Sequence, residues 1–438
     1  MSNFLDFEKF VDKTFPKELT AQQIIITLST DLAAIDINLI SKNFHIIDKI
    51  AKEEEFFTEL AMLCRDKTYA HPEWGTLSGR IKMLYIKRCV PRTFSDSCEM
   101  LKPVLGEDYY NFCMLHRVTL DKIIDLSVGL DWAFDIFAVE TLARGYLSRV
   151  KDENSVSHIA ETPQYLYLRI AVFLWFPQDF CLRYSAHPQY LQNDINLGDC
   201  SILTDDELDK IKQCYMDLAT GKISPPSPLQ FNAGMKRPQL ASCFLLSVDD
   251  SMKSLSKNWH DNAIISMNNG GIGITFDSIR HSEIGNHGWS QGVTPWIKIV
   301  NEVLATVNQS GKRKGSGAMY LTDWHRDIFE FVDLKNPIGK EELRARDLFY
   351  GVMISDLFMK RVAEDGMWSM FCPAKVDGLE KTYGEEFEKR YVDLEEKGLQ
   401  GHFPHTFKQV RERVMVTYYT IANNNRHALY YIQRCCQS

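Results

Sequence analysis

Apolar positions recur with the 3.6-residue period of amphipathic helices through the first half of the chain, most clearly over 24–35, 123–137 and 208–218. That pattern predicts a helical layer reaching to about residue 225. From about Ser227 the period changes. Short apolar runs of strand length at 244–247, 272–276, 318–321, 351–354 and 368–372 alternate with helical patterns at 296–307, 356–364, 385–397 and 407–422. Strands separated by helix-length segments predict a parallel sheet or an α/β barrel. The joint is placed at Gly221 to Pro228, where Pro225, Pro226 and Pro228 interrupt helix and strand alike. No internal repeat or low-complexity linker is present.

Composition narrows the class. A chain of 438 residues with 45% apolar and 25% charged positions is an ordinary soluble type, long enough for two or three domains. A net charge of −8 gives no global pull toward nucleic acid, which is therefore not an expected partner. No apolar run reaches the roughly 18 residues of a membrane span, so no membrane partner is expected. Met1 to Asp6 carries no basic stretch ahead of an apolar one, so no secretory signal is expected. Eleven cysteines without a C-x-x-C pair point to a reducing compartment, read as the cytoplasm, or a host's cytoplasm for a viral source. Lys312-Arg313-Lys314 reads as a local phosphate contact or a solvated loop. The pair His402 and His405 spans Pro404 without further clustered ligands, so no metal site is expected there.

One segment concentrates the chemistry. Phe231-Asn232-Ala233-Gly234-Met235-Lys236-Arg237-Pro238-Gln239-Leu240-Ala241-Ser242-Cys243-Phe244-Leu245-Leu246-Ser247 sets a cysteine after a Pro/Gly-punctuated loop and at the start of an apolar strand. Gly234 and Pro238 mark a turn, and the strand residues 244–246 are expected to be buried and to fix the Cys243 sulfur. A lone cysteine is more often packing than chemistry. Its wording, however, resembles the substrate-site cysteine strand of the class I ribonucleotide reductase large subunit. The resemblance continues through Thr141-Leu142-Ala143-Arg144-Gly145-Tyr146-Leu147 and Glu161-Thr162-Pro163-Gln164-Tyr165-Leu166-Tyr167-Leu168-Arg169. It extends over Asn269-Gly270-Gly271-Ile272-Gly273, Asp323-Trp324-His325 with Asp327 to Phe331, and Gly339 to Phe349, in the family's order from about residue 130 onward.

The resemblance implies an α/β fold: a helical N-terminal region followed by the first half of a ten-stranded α/β barrel. Its implied divisions are a degenerate ATP-cone-like region over 1–90, a helical domain over 91–225 and the barrel half over 226–438. It implies reduction of ribonucleoside diphosphates to 2′-deoxyribonucleoside diphosphates, with Cys243 as one of the two reducing cysteines. Ser227 and Ser242 match substrate-contacting hydroxyls, and Gly271 matches a glycine that lets backbone approach the nucleotide. Gly-Gly-Ile-Gly alone would equally be a tight turn. Asp250, Ser251 and Arg280 match contacts to an ATP or dNTP effector bound at a dimer interface, although Asp250 or Ser251 reads as well as a helix cap. No cofactor is implied in this chain. The radical is expected from a metal-containing small subunit.

Departures from the family pattern are specific. The segment His281 to Gly292 is shorter than the usual effector loop, and 307–315 is one residue short, with Lys314 at a proline position. No basic cone motif precedes Phe15, and Phe57 falls where an acidic nucleotide contact is expected, so the cone region reads as a relic that packs without binding. The last residues, Cys435-Cys436-Gln437-Ser438, resemble a segment just before the loop that carries the radical cysteine. The expectation is a separate C-terminal large-subunit chain that completes the enzyme, with this chain inactive alone. The alternative is a non-catalytic homologue acting as a nucleotide-binding scaffold or regulator.

Overall fold

The structure is a computed structural model that describes residues 6–125, 127–175, 203–268, 270–285, 288–307, 315–364, 366–376, 378–397 and 405–406. The basic run 312–314, His402, Cys435, Cys436 and the helix expected over 407–422 lie outside the described residues. The chain forms two compact units, 1–240 and 241–438. The division falls between Leu240 and Ala241, later than the expected Pro-rich joint. The reason is Arg169, a buried residue of the first unit, which donates to the carbonyls of Gln230 and Ala233 at 2.9 and 2.5 Å and so ties the segment after the prolines to that unit.

The first unit is helical. Helix Glu53–Arg65 has three glutamates in its first turn and an arginine in its last, matching the helix dipole, and buries Phe56, Phe57, Leu60, Ala61 and Cys64. It packs on helix Glu73–Cys89, which in turn packs on helix Ile136–Gly145. Helix Pro163–Trp175 is apolar nearly all round because it separates two cores. Leu166 and Ile170 face one, with Trp74, Ile81 and Trp132, while Tyr165, Leu168 and Val172 face the other, with Phe94, Phe112 and Tyr215. Residues from the expected cone region and the expected helical domain thus share one core instead of forming separate bodies.

Two expected helices end early. The run expected over 24–35 is helix Ala21–Leu28, capped by the Thr20 hydroxyl, which accepts from Gln23 N. The run over 123–137 is split into helix Arg117–Asp125, a 3₁₀ turn Val128–Ala133 and helix Ile136–Gly145. Asp135 causes the break, since its carboxylate accepts from Ala138 N at 2.8 Å and starts a new helix there. Strands β1 (Arg149–Lys151) and β2 (Ser157–Ile159) form an antiparallel hairpin.

The second unit carries the predicted alternation. Strands β3 (Cys243–Ser247), β4 (Gly271–Thr275), β5 (Gly317–Thr322) and β6 (Phe349–Met353) form a parallel sheet in that order. Helices Met252–Met267, Thr294–Thr306, Ile328–Asp333, Asp356–Ala363 and Gly384–Glu396 accompany it. The face carrying Ile272, Ile274, Met319 and Leu321 is buried against this helical side in a core with Ile297, Val300, Phe331 and Trp368. The fifth expected strand is only Met367–Trp368 (β7), paired antiparallel with His405–Thr406 (β8), while Phe371 makes a single parallel bridge to His325.

The opposite face of the sheet differs. In parallel register, residues level with one another share a face, so Cys243, Leu245 and Ser247 line up with Gly271, Gly273 and Thr275, and Gly273 and Thr275 in turn with Ala318 and Tyr320. On that face Leu245 is 85% exposed, and on β6 Phe349 and Met353 are also exposed. The apolar strand run around Cys243 is therefore not buried on both sides, as its sequence suggested. A parallel sheet ordinarily has both faces covered; here one is open among the described residues.

Candidate active site on the open sheet face

Three of the expected substrate-side residues meet at the first residues of β3 and β4. Cys243 is level with Gly271 in the ladder, and its thiol is exposed. The Ser242 hydroxyl contacts the Cys243 sulfur at 3.6 Å, and Gly271 N donates to Ser242 O at 2.7 Å. A Cβ at Gly271 would stand 3.1 Å from Ser242 O, so glycine is what allows the two strands to close at this point. Gly273 and Gly351 deepen the same face, where Leu245 and Tyr320 lean into the space that side chains would fill. The result is a shallow, glycine-floored surface with a thiol and a hydroxyl at one end. Ser227 belongs to the first unit. It opens helix Ser227–Asn232, and its hydroxyl is 3.2 Å from that of Tyr146, whose ring stacks on Phe231.

The expected effector residues also come together, beyond the carboxyl ends of β3 and β4. Ser251 is the N-cap of helix Met252–Met267, accepting from Ser254 N at 3.2 Å. Asp250 is not the cap. It forms an ion pair with Arg280, whose Nε donates to the carboxylate. The cap and the pair place Asp250, Ser251 and Arg280 at one corner of the unit. Next to them, the described part of the short loop after Arg280 closes on itself through Ser290 N to Ser282 O and a bridge between Glu283 and Trp289.

A third group of polar side chains gathers around the end of β5. The imidazole of His325 donates from Nε2 to Ile279 O and accepts at Nδ1 from Asp327 N, both at 3.0 Å. Complete burial holds it below the usual histidine range, in keeping with that neutral tautomer. Asp327 bonds the His281 ring and accepts from Val293 N at 2.9 Å, locking the loop start to helix Thr294–Thr306. Asp277 accepts from Thr322 N at 2.7 Å and from the Thr275 hydroxyl. The density of titratable residues in Asp323-Trp324-His325-Arg326-Asp327 was the available signal. Among the described residues, no group of three or more His, Cys, Asp or Glu side chains is placed to hold a metal ion. No described helix is long and apolar enough to cross a membrane.

In the N-terminal region, Phe57 is fully buried, edge-on to Phe56 and tilted against Tyr85. Arg88 lies over the Phe57 ring, bonds Glu53, and donates to the carbonyls of Phe10 and Val11 at 2.7 and 3.0 Å. Arg80 is buried in a two-bond pair with Asp31. Its guanidinium, by hydrogen bonding, holds the Asp31 carboxyl below the usual range.

Comparison with known families agrees with this geometry. Residues 133–238 match the family model for the ribonucleotide reductase all-alpha domain, and residues 241–423 match that for the ribonucleotide reductase barrel domain. Both matches meet at the division between the two units. The chain is 35% identical over 354 residues to the ribonucleoside-diphosphate reductase large subunit of Plasmodium falciparum (isolate FCR-3 / Gambia), covering 77% of this chain and 40% of that protein. Large subunits from Arabidopsis thaliana and Acanthamoeba polyphaga mimivirus are each 32% identical, covering 80% and 84% of this chain and 40% of each relative. The chain thus spans about 40% of the length of these curated relatives. With both domain models matched in order across 133–423, the chain belongs to the ribonucleotide reductase large-subunit family.

Proposed function

We propose that this chain supplies the substrate-side half of a ribonucleoside-diphosphate reductase large subunit. The observation that carries the reading is the exposed Cys243 thiol beside Ser242 and Gly271, on the sheet face where Leu245, Phe349 and Met353 stand exposed. In the proposed reaction two thiols are oxidised to a disulfide while the ribose C2′–OH bond becomes C2′–H and water leaves. Cys243 is one of these thiols and passes a proton and an electron to the sugar. Within the second unit, the Ser242 hydroxyl and the backbone at Gly271 hold the nucleoside diphosphate. Its partner thiol, the radical cysteine and the strands that cover the open face belong to large-subunit polypeptide outside the 40% of the relatives' length that this chain matches. The radical itself comes from a metal-containing small subunit.

Asp250, Ser251 and Arg280 are proposed to receive a nucleotide effector such as ATP at a contact between two copies of the chain. Arginine suits polyphosphate because its planar fork binds two oxygens at once. The Asp250 to Arg280 pair must then open or share that fork. The filled aromatic cluster around Phe57 supports reading 1–90 as a cone relic that packs without nucleotide. These two observations also favour a second reading, a non-catalytic scaffold that binds a reductase partner. Reductase assays decide between them: CDP, ATP, a dithiol and a family small subunit, with this chain alone and with a C-terminal polypeptide. Activity in the mixture that is lost in Cys243→Ala supports the enzyme; nucleotide binding without activity in any mixture supports the scaffold.

A further inference from the structure

Asp323, at the end of β5, has no place in the reaction proposed above, yet it is one of the most deeply buried carboxyls of the second unit, at 2% exposure. Its Oδ2 accepts from Ser355 N at 2.7 Å and from the Ser355 hydroxyl at 2.9 Å. That hydroxyl is the N-cap of helix Asp356–Ala363, accepting from Phe358 N at 3.2 Å. The backbone of Asp323 adds to the joint, its N donating to Met353 O and its O accepting from the Trp368 indole, both at 3.1 Å. A relay from Phe358 through Ser355 to Asp323 thus fastens the start of the helix, and the end of β6, to the end of β5.

The other carboxyl oxygen, Oδ1, is buried without a hydrogen bond of good geometry, and so is the adjacent Thr322 hydroxyl. A buried ionised carboxylate with half its acceptors unmet is costly, whereas the neutral acid is not. We propose that Asp323 is a proton-gated latch, fastening the start of helix Asp356–Ala363 as the neutral acid and letting that joint open once it must ionise. Burial first, and then the nearby Asp277 charge, push its carboxyl up to about 7, while the Ser355 bonds and the Trp324 amide act the other way. Among the described residues, Asp277 beyond β4 and Tyr391 on helix Gly384–Glu396 act on it, and Asp356 opens the latched helix next to Ser355. Arg361 reaches Tyr391 and is itself paired with Glu395. His325, two residues on, is held neutral.

The sign follows from linkage. The open joint exposes Asp323 to water, where it ionises near its ordinary value of 3.8, whereas the closed joint keeps it protonated to about 7. Opening is therefore favoured about tenfold per pH unit between those values and levels off above the upper one. The test is hydrogen exchange at the Ser355 and Phe358 amides of the full chain, corrected for intrinsic exchange, from pH 5 to pH 8. The expected result is an opening constant that rises about fiftyfold from pH 5 to pH 7 and only about twofold more by pH 8, with no such rise in Asp323→Asn. A rise of the same size in Asp323→Asn, or none in the wild type, overturns the proposal. A second readout needs no variant: carbon-13 titration of the Asp323 carboxyl in the wild type. A midpoint near neutrality supports the latch, and one near 4 refutes it.

Discussion

Replacing Arg169 with methionine should cost the first unit about 3–5 kcal/mol, the penalty typical of breaking a buried ion pair from one side. Arg169 and Glu161 are each 1% exposed. The guanidinium gives two bonds to the Glu161 carboxylate, Nε to Oε2 at 2.9 Å and Nη2 to Oε1 at 3.0 Å. It gives two more to Ala233 O and Gln230 O. In Arg169→Met the carboxylate keeps only the Ser148 amide as donor, at 2.7 Å. That carboxyl is left in an apolar setting without its counter-ion, and two carbonyls of the segment leading to β3 lose their donor, at about 1 kcal/mol each. Methionine fills most of the volume, so the cavity contribution is small. Urea unfolding followed by tryptophan fluorescence measures the loss. The double variant Glu161→Gln with Arg169→Met should recover part of it, because the stranded charge is gone. A loss below about 1 kcal/mol for Arg169→Met, or a double variant worse than the sum of the singles, would refute the argument.

Other outcomes follow from the same coordinates. Gly79→Ala would place a Cβ 2.4 Å from Phe134 O where two helices cross, and should lower stability by about 1–3 kcal/mol in thermal unfolding. Asp31, held below its usual range by Arg80, stabilises the fold above its unfolded value of 3.8 and loses that contribution as pH falls through its lower folded value; Asp31→Asn should flatten this part of the acid-unfolding curve. Among the described cysteines, thiol labelling read by peptide mass spectrometry should modify Cys243 first and Cys89 more slowly, because burial pushes the Cys89 thiol up, while Cys64, Cys98, Cys113 and Cys372 react only on unfolding. Leu245→Asp on the open face should reduce self-association of the chain in sedimentation without lowering its melting temperature.

Much of the second unit was legible because its signals are local. Four apolar runs between helical patterns became β3 to β6 within two residues at either end, and Cys243, Ser242 and Gly271 met because adjacent parallel strands bring such positions level. The fifth run fell short because its outer residues serve tertiary contacts, Trp368 donating to Asp323 O and Phe371 bridging to His325. Periodicity could not show that one sheet face is open, since a strand of alternating half-buried residues and a doubly covered one are equally apolar here. The position of the division was hidden as well. The prolines mark a local break, but a buried arginine some sixty positions earlier in the chain decides which unit owns the residues after it. Asp250 and Ser251 compete for one cap in sequence, and only the reach of Arg280 assigns the cap to Ser251.

The proposed reaction requires Cys243 to give up its thiol hydrogen and an electron to substrate. The direct measurement is a single turnover: this chain, a C-terminal large-subunit polypeptide and a small subunit, prereduced, freed of dithiol and given CDP with ATP. The account predicts that dCDP forms in proportion to a new disulfide at Cys243, mapped by mass spectrometry, and that Cys243→Ser forms neither. Formation of dCDP while Cys243 remains a free thiol would contradict it.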